Sequence, residues 1–134
     1  MELKFDAVIE NVPKVVDWVE EQLETYDCPL KAQMQISVSI DEIFTNIASY
    51  AYENGVGQAT VRLDVLENPT RVQLTFVDGG KPFDPLARED PDVNLSIEER
   101  QIGGLGIFLV KKMMDDVRYE YRNSENILTL TKNL

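Results

Sequence analysis

The stretch from Leu30 to about Glu53 constrains the fold more than any other part of the chain. Its apolar residues Ile36, Ile40, Ile43, Ile47 and Ala51 step by four, three, four and four, which places them on one stripe of a long helix. A helix that is apolar along one stripe must bury it against another element. The remaining periodic segments supply that cover. Leu3, Phe5, Ala7 and Ile9 alternate as a strand; Val61, Leu63 and Val65, then Val72, Leu74 and Phe76, alternate around the turn residues "ENPT" as a hairpin. A second hairpin pairs Val117–Arg122 with Ile127–Thr131 across "NSEN", and a shorter helix carries Val15, Val16, Val19 and Leu23 behind Asn11 as its cap and Pro13 in its first turn. Gly55 suits the left-handed cap of the long helix, and a third helix carries Ile107, Val110, Met114 and Val117. The order is strand, two helices, hairpin, loop, helix, hairpin. It predicts an α+β fold: a two-layer α/β sandwich whose mostly antiparallel sheet is covered by helices on one face.

The chain has 134 residues and is 43 % hydrophobic, enough for one domain over 1–134 with a real core. No apolar run approaches the roughly 20 residues that cross a bilayer, and the opening "MELKFDAVIE" does not read as a secretory leader, so a cytoplasmic setting without membrane contact is expected. The net charge of −11 gives no general field for nucleic acid, so no direct nucleic-acid partner is expected. A single cysteine, Cys28, excludes an internal disulfide and reads as an inert residue near a helix end. The absence of histidine excludes a Ser-His-Asp triad, a His-ligated zinc site and autophosphorylation on histidine within this chain. Trp18, Phe108 and Met113-Met114 read as packing residues.

Three segments carry polar chemistry inside apolar surroundings. "DEIFTNIASYAY" sets Glu42 and Asn46 four residues apart, on one helix face. "VDGGKPFDP" places Asp78 at the exit of a strand, followed by two glycines. "IGGLGIFLV" opens an apolar helix with a glycine-rich turn, whose free N–H groups suit phosphate. Each segment alone is also what a solvated helix flank, an ordinary β-turn or a weak glycine motif shows; their order is far more specific.

In that order the segments resemble the asparagine box and the two glycine boxes of the GHKL (Bergerat-fold, histidine-kinase-like) ATPases. Within these, the resemblance is to the small anti-sigma-factor serine kinases of bacteria, over nearly the whole chain. It implies that Asn46 binds Mg²⁺, that Glu42 is the general base, and that Asp78 accepts a hydrogen bond from the amino group of adenine while Gly80 leaves room for the base. It implies that Gly103, Gly104 and Gly106 let the backbone close around the phosphates of ATP, and that residues 86–102 form an ATP lid from which Arg100 contacts phosphate. The implied activity is transfer of the γ-phosphate of ATP to a serine of a small anti-sigma-factor antagonist. A sigma factor would be the client, and a homodimer the assembly. A nucleotide-binding module that sequesters its partner without phosphotransfer is the alternative, and the catalytic domain of a two-component histidine kinase is a third reading. Two positions depart from the family pattern. Tyr50 stands where a histidine is common one turn after Asn46, and Asn126-Ile127 stands where the last strand commonly offers Gly-Thr behind the adenine aspartate.

Overall fold

The computed structural model describes residues 1–52, 55, 57–87 and 105–134. Five strands form one sheet: β1 (Glu2–Asp6), β2 (Gln58–Leu66), β3 (Arg71–Asp78), β4 (Asp116–Arg122) and β5 (Glu125–Asn133). Their order is β1-β2-β3-β5-β4, and every neighbouring pair is antiparallel. Three α-helices are described, α1 (Val12–Leu23), α2 (Leu30–Tyr50) and α3 (Leu105–Met113), with short 3₁₀ turns at Ile9–Asn11, Glu24–Tyr26 and Pro85–Ala87. This is the α+β arrangement that the periodicity predicts.

The two-residue period of the strands sorts side chains between the faces of the sheet. Val61 lies opposite Phe76 and Leu63 opposite Leu74, and on the other side of β3 Leu74 lies opposite Leu130 and Phe76 opposite Leu128. All are buried, and they meet Ile36, Ile40, Ile43 and Phe44 of α2 and Val15, Val19 and Leu23 of α1 in one core. Each such side chain contributes about 1.5–3 kcal/mol on leaving water. Trp18 stacks edge-on against Phe5 at 6.3 Å, and Phe5 against Phe44 at 6.2 Å, so Trp18 packs as the sequence predicts. Met114 is buried beside Val110, and Cys28 is buried with its thiol pushed up by that burial.

Local details differ from the sequence expectation. Asn11 stands at the start of α1, but its side chain makes no cap bond; its Nδ2 donates instead to the Asp6 carbonyl at 2.8 Å. Helix α2 ends at Tyr50, short of Glu53, because Ala51 and Tyr52 are drawn onto the turn that leaves β3. Gly55 does take a positive φ of 91°, but in the connection beyond the helix and not as its cap. Helix α3 stops at Met113, so Val117 belongs to β4. The last hairpin turns tightly on Asn123 and Ser124, both at positive φ as a two-residue primed turn requires. The short turn expected near "LSIEER" and most of the expected lid, from residue 88 onward, lie outside the described residues.

Candidate functional site

Helix α2 lies across the sheet, so its last turns pass over the exit of β3. Three contacts tie them together. The Lys81 N–H donates to the Ala51 carbonyl at 3.0 Å. Gly80 packs directly on Ala51: a Cβ there would sit 2.2 Å from the Ala51 carbonyl oxygen. The Tyr52 hydroxyl donates to the Gln58 carbonyl at 2.6 Å and accepts from the Gly79 N–H at 3.0 Å, while its ring fills the space beside Gly57, where a Cβ would lie 2.1 Å from Cζ. These ties fix the spacing between the polar face of α2 and Asp78.

Between them opens a cleft of about 480 Å³, including its mouth. Ile43, Ile47, Phe76, Ile107 and Leu128 form its apolar walls, and Asn46, Asp78, Lys81, Tyr119 and Asn126 bring polar groups to it. A mostly apolar cleft with a few convergent polar groups is the usual form of a small-molecule site. Tyr50 also lines it, at an exposed position.

Asp78 is only 6 % exposed. Its Oδ1 accepts from the Gly80 N–H at 2.9 Å and from Asn126 Nδ2 at 3.0 Å. Burial raises its carboxyl above the ordinary value, the Asn126 and Gly80 hydrogen bonds oppose that rise, and Glu125 adds to it. Asn46 donates through Nδ2 to Glu42 Oε1 at 3.3 Å, so the two residues act as one pair on α2. Glu42 lies in the adjoining groove between α2 and α3, with Val38, Gly106 and Leu109. A Cβ on Gly106 would fall 1.9 Å from the Glu42 carboxyl carbon. Both members of the pair are half-buried.

Five sequence-predicted residues can therefore be placed in part or in full. Asn46 and Asp78 line one cleft. Glu42 joins it through Asn46 without lining it. Two glycines carry a packing constraint that the sequence does not name: the end of α2 presses on Gly80, and Glu42 occupies the side-chain space of Gly106. Arg100, Gly103 and Gly104 lie outside the described residues. Sequence reasoning missed Tyr52, Lys81, Tyr119 and the full role of Asn126. The register that sets Asp78 opposite Asn126 in the β3–β5 pair would have found the last. Gly80→Ala is expected to destabilise the fold by about 1–3 kcal/mol, since a backbone carbonyl cannot yield as a flexible side chain would; urea unfolding checks this.

An antiparallel sheet with helices on one face, and a cleft between its middle helix and the exit of β3, is the architecture of the histidine kinase-like ATPases. The chain belongs to that family: residues 5–132 match the histidine kinase-like ATPase domain. Among characterised relatives it is similar to the serine/threonine-protein kinase BtrW of Bordetella bronchiseptica, at 30 % identity over 101 residues, covering 75 % of this chain and 70 % of that protein. It is 28 % identical over 97 residues to the serine-protein kinase RsbW of Bacillus cereus (strain G9842), covering 69 % of this chain and 59 % of that one, so the match spans less than two thirds of RsbW. The fold recurs in the crystal structure of the RsbU and RsbW domains of Rv1364c from Mycobacterium tuberculosis, with a TM-score of 0.64 and 16 % identity over 100 % of this chain and 32 % of that one. It recurs again in the histidine kinase domain of the blue-light activated histidine kinase EL346 of Erythrobacter litoralis, with a TM-score of 0.56 and 16 % identity, covering 79 % of this chain and 46 % of that one. Among the described residues, no helix is long and apolar enough to cross a membrane.

Proposed function

We propose that the chain is an ATP- and Mg²⁺-dependent serine-protein kinase that acts as an anti-sigma regulator and phosphorylates a serine on a small anti-sigma-factor antagonist. The observation that carries this is the joined arrangement of Asn46, Glu42 and Asp78: a buried carboxylate and a side-chain amide on one cleft, with a second carboxylate hydrogen-bonded to that amide. Membership of the ATPase family and likeness to serine-protein kinases support it.

The residues fit the groups this activity needs. Asp78 Oδ2 has no hydrogen-bond partner among the described residues and suits the amino group of adenine. The Asn46 amide nitrogen is committed to Glu42, which leaves Oδ1 as the ligand for a hard cation. Mg²⁺ is usually held by one or two protein groups together with substrate phosphates rather than by a protein cage, and the phosphates would complete its shell here. Bound Mg²⁺ would supply charge neutralisation on the phosphates. Glu42 would take the proton from the attacking serine hydroxyl. The net charge of −11 does not oppose the nucleotide, because surface carboxylates beyond about 8 Å are screened. Arg100, Gly103, Gly104 and Gly106, with a lid over 86–102, complete the phosphate side of this reading, and a sigma factor is the client released when the antagonist is unmodified. The homodimer belongs to the same reading, and the largely exposed edge strand β1 offers one face for it. A cytoplasmic setting completes it.

The test mixes the chain with γ-labelled ATP, Mg²⁺ and a small anti-sigma-factor antagonist protein. Labelled phosphoserine on the antagonist is the expected product. Tight ATP binding with no label transferred would replace the kinase with the alternative, a partner-switching module that sequesters its client. In the same assay, Asn46→Ala is expected to cut the affinity gained on adding Mg²⁺ by about tenfold. Calorimetry with and without the metal measures that gain.

A further inference from the structure

Asn46 and Glu42 face different hollows. Asn46 lines the cleft with Asp78, whereas Glu42 lines a second groove, between α2 and α3, of about 440 Å³ including its mouth. The Asn46–Glu42 hydrogen bond at 3.3 Å links the two. Val38 lines the groove from α2 and Leu109 from α3, and they stay 51 % and 46 % exposed. Met34 and Leu30, at 60 % and 73 %, continue the Val38 row along α2 in steps of four residues, which keeps them on one face. The core does not need this row, because Ile36, Ile40 and Ile43 serve it from another face of the helix. Four exposed apolar side chains aligned on adjoining helices make one patch rather than scattered singles, and such a patch marks an interaction surface. Its end at Glu42 is acidic. Asp41 also lines the groove there and accepts from Thr45 Oγ1 at 3.2 Å.

We propose that this groove is the entry of the protein substrate: it seats the serine-bearing segment, with an apolar side chain of that segment against Val38 and Leu109 and the serine hydroxyl at Glu42. The assignment rests on the kinase reading given above. A base takes a proton only within hydrogen-bond reach, about 2.6–3.2 Å, so the serine must come to Glu42, and Glu42 is reached from the groove. In the step this serves, the serine oxygen bonds to the γ-phosphorus of ATP as the bond to the β,γ-bridging oxygen breaks; ADP leaves, and the serine proton passes to the Glu42 carboxylate. The row fixes where the apolar neighbour lies. Val38 precedes Glu42 by about one helical turn, a rise of about 6 Å, so that side chain stands about 6 Å from the serine along α2. Asp41 and Glu42 set the charge: a segment with a carboxylate beside its serine is repelled, and a neutral or basic one is accepted.

Transfer from γ-labelled ATP to the small anti-sigma-factor antagonist protein is measured over a range of antagonist concentrations. The full wild-type chain is compared with Val38→Ser, Leu109→Ser and the double variant. Both side chains are about half exposed, so the fold should tolerate their loss, and thermal melting verifies it. In the double variant KM for the antagonist is expected to rise about tenfold, while the affinity for ATP, read by calorimetry, holds. Val38→Ile, which keeps an apolar surface, should retain the wild-type KM. Ile9→Ser, which removes an apolar side chain of similar exposure (56 %) outside the groove, should retain it too. A double variant with the wild-type KM would overturn the inference and leave the kinase reading standing. A wild-type dimer that the double variant splits, seen by light scattering, would also overturn it by assigning the row to a second copy of this chain. A wild type that transfers no phosphate would remove the kinase reading and this inference together.

Discussion

Glu42→Gln is expected to slow phosphoryl transfer to the antagonist serine by roughly 10²–10⁴-fold, with ATP affinity almost unchanged. Glutamine has the shape of glutamate and keeps an oxygen for the Asn46 amide, now received at 3.3 Å. It also fits the slot against Gly106, where a Cβ would meet the Glu42 carboxyl carbon at 1.9 Å. What glutamine cannot do is take a proton. Glu42 lines the groove beside the cleft rather than the cleft itself, so losing its charge leaves the Asp78 side of the cleft untouched. Rate and affinity should therefore separate. Single-turnover transfer from γ-labelled ATP reads the first, and calorimetry reads the second. Unchanged transfer would move the base to another residue, whereas equal loss of both would make Glu42 a structural support of Asn46.

The parts of this molecule that a one-dimensional pattern can encode were legible, and the parts that need a register or a close approach were not. The stripe on α2 and the alternation on β2 and β3 record which face is buried, and Ile36, Ile40, Val61, Leu63 and Leu74 all lie in the core as those patterns require. Glu42 and Asn46 were legible as a pair because helical spacing alone sets them one turn apart. Their half-burial was not, since it depends on α3 arriving beside α2 with a glycine at position 106. Gly80 and Gly106 are legible as glycines, but the neighbours that press on them are not. A glycine marks a close approach without naming the partner, and here the partners are the Ala51 backbone and the Glu42 carboxyl. Asn126 was read as a departure from a family pattern. Its hydrogen bond to Asp78 emerges only once β5 is set against β3, bringing together residues 48 apart in sequence. Tyr52 gave no signal, because its hydroxyl bridges two backbone groups that any sequence would supply.

Asp78→Asn is expected to lower ATP affinity by roughly 10–100-fold while making the empty protein more stable at neutral pH. The binding loss follows from chemistry at one atom. The side-chain oxygen of asparagine can still accept from the Gly80 N–H and from Asn126, as Asp78 Oδ1 does at 2.9 and 3.0 Å. The second oxygen becomes an NH₂, which meets the amino group of adenine donor to donor; losing a hydrogen bond to a charged group costs about 1.5–3 kcal/mol. The stability gain follows from linkage. Burial raises the folded-state value of Asp78 above its ordinary 3.8. Between that ordinary value and the raised one, the folded chain holds a proton that the unfolded chain has released, so stability falls as pH climbs through the window and stays low above it. Asparagine has no proton to release, and the fall disappears. Melting curves from pH 4 to 8 should therefore converge for the two proteins at the acid end and separate towards neutrality, with the variant higher. A wild type that instead gains stability from Asp78 on rising through that window would mean that its hydrogen bonds outweigh burial, and the site would not be holding a carboxylate at a cost in the service of its ligand.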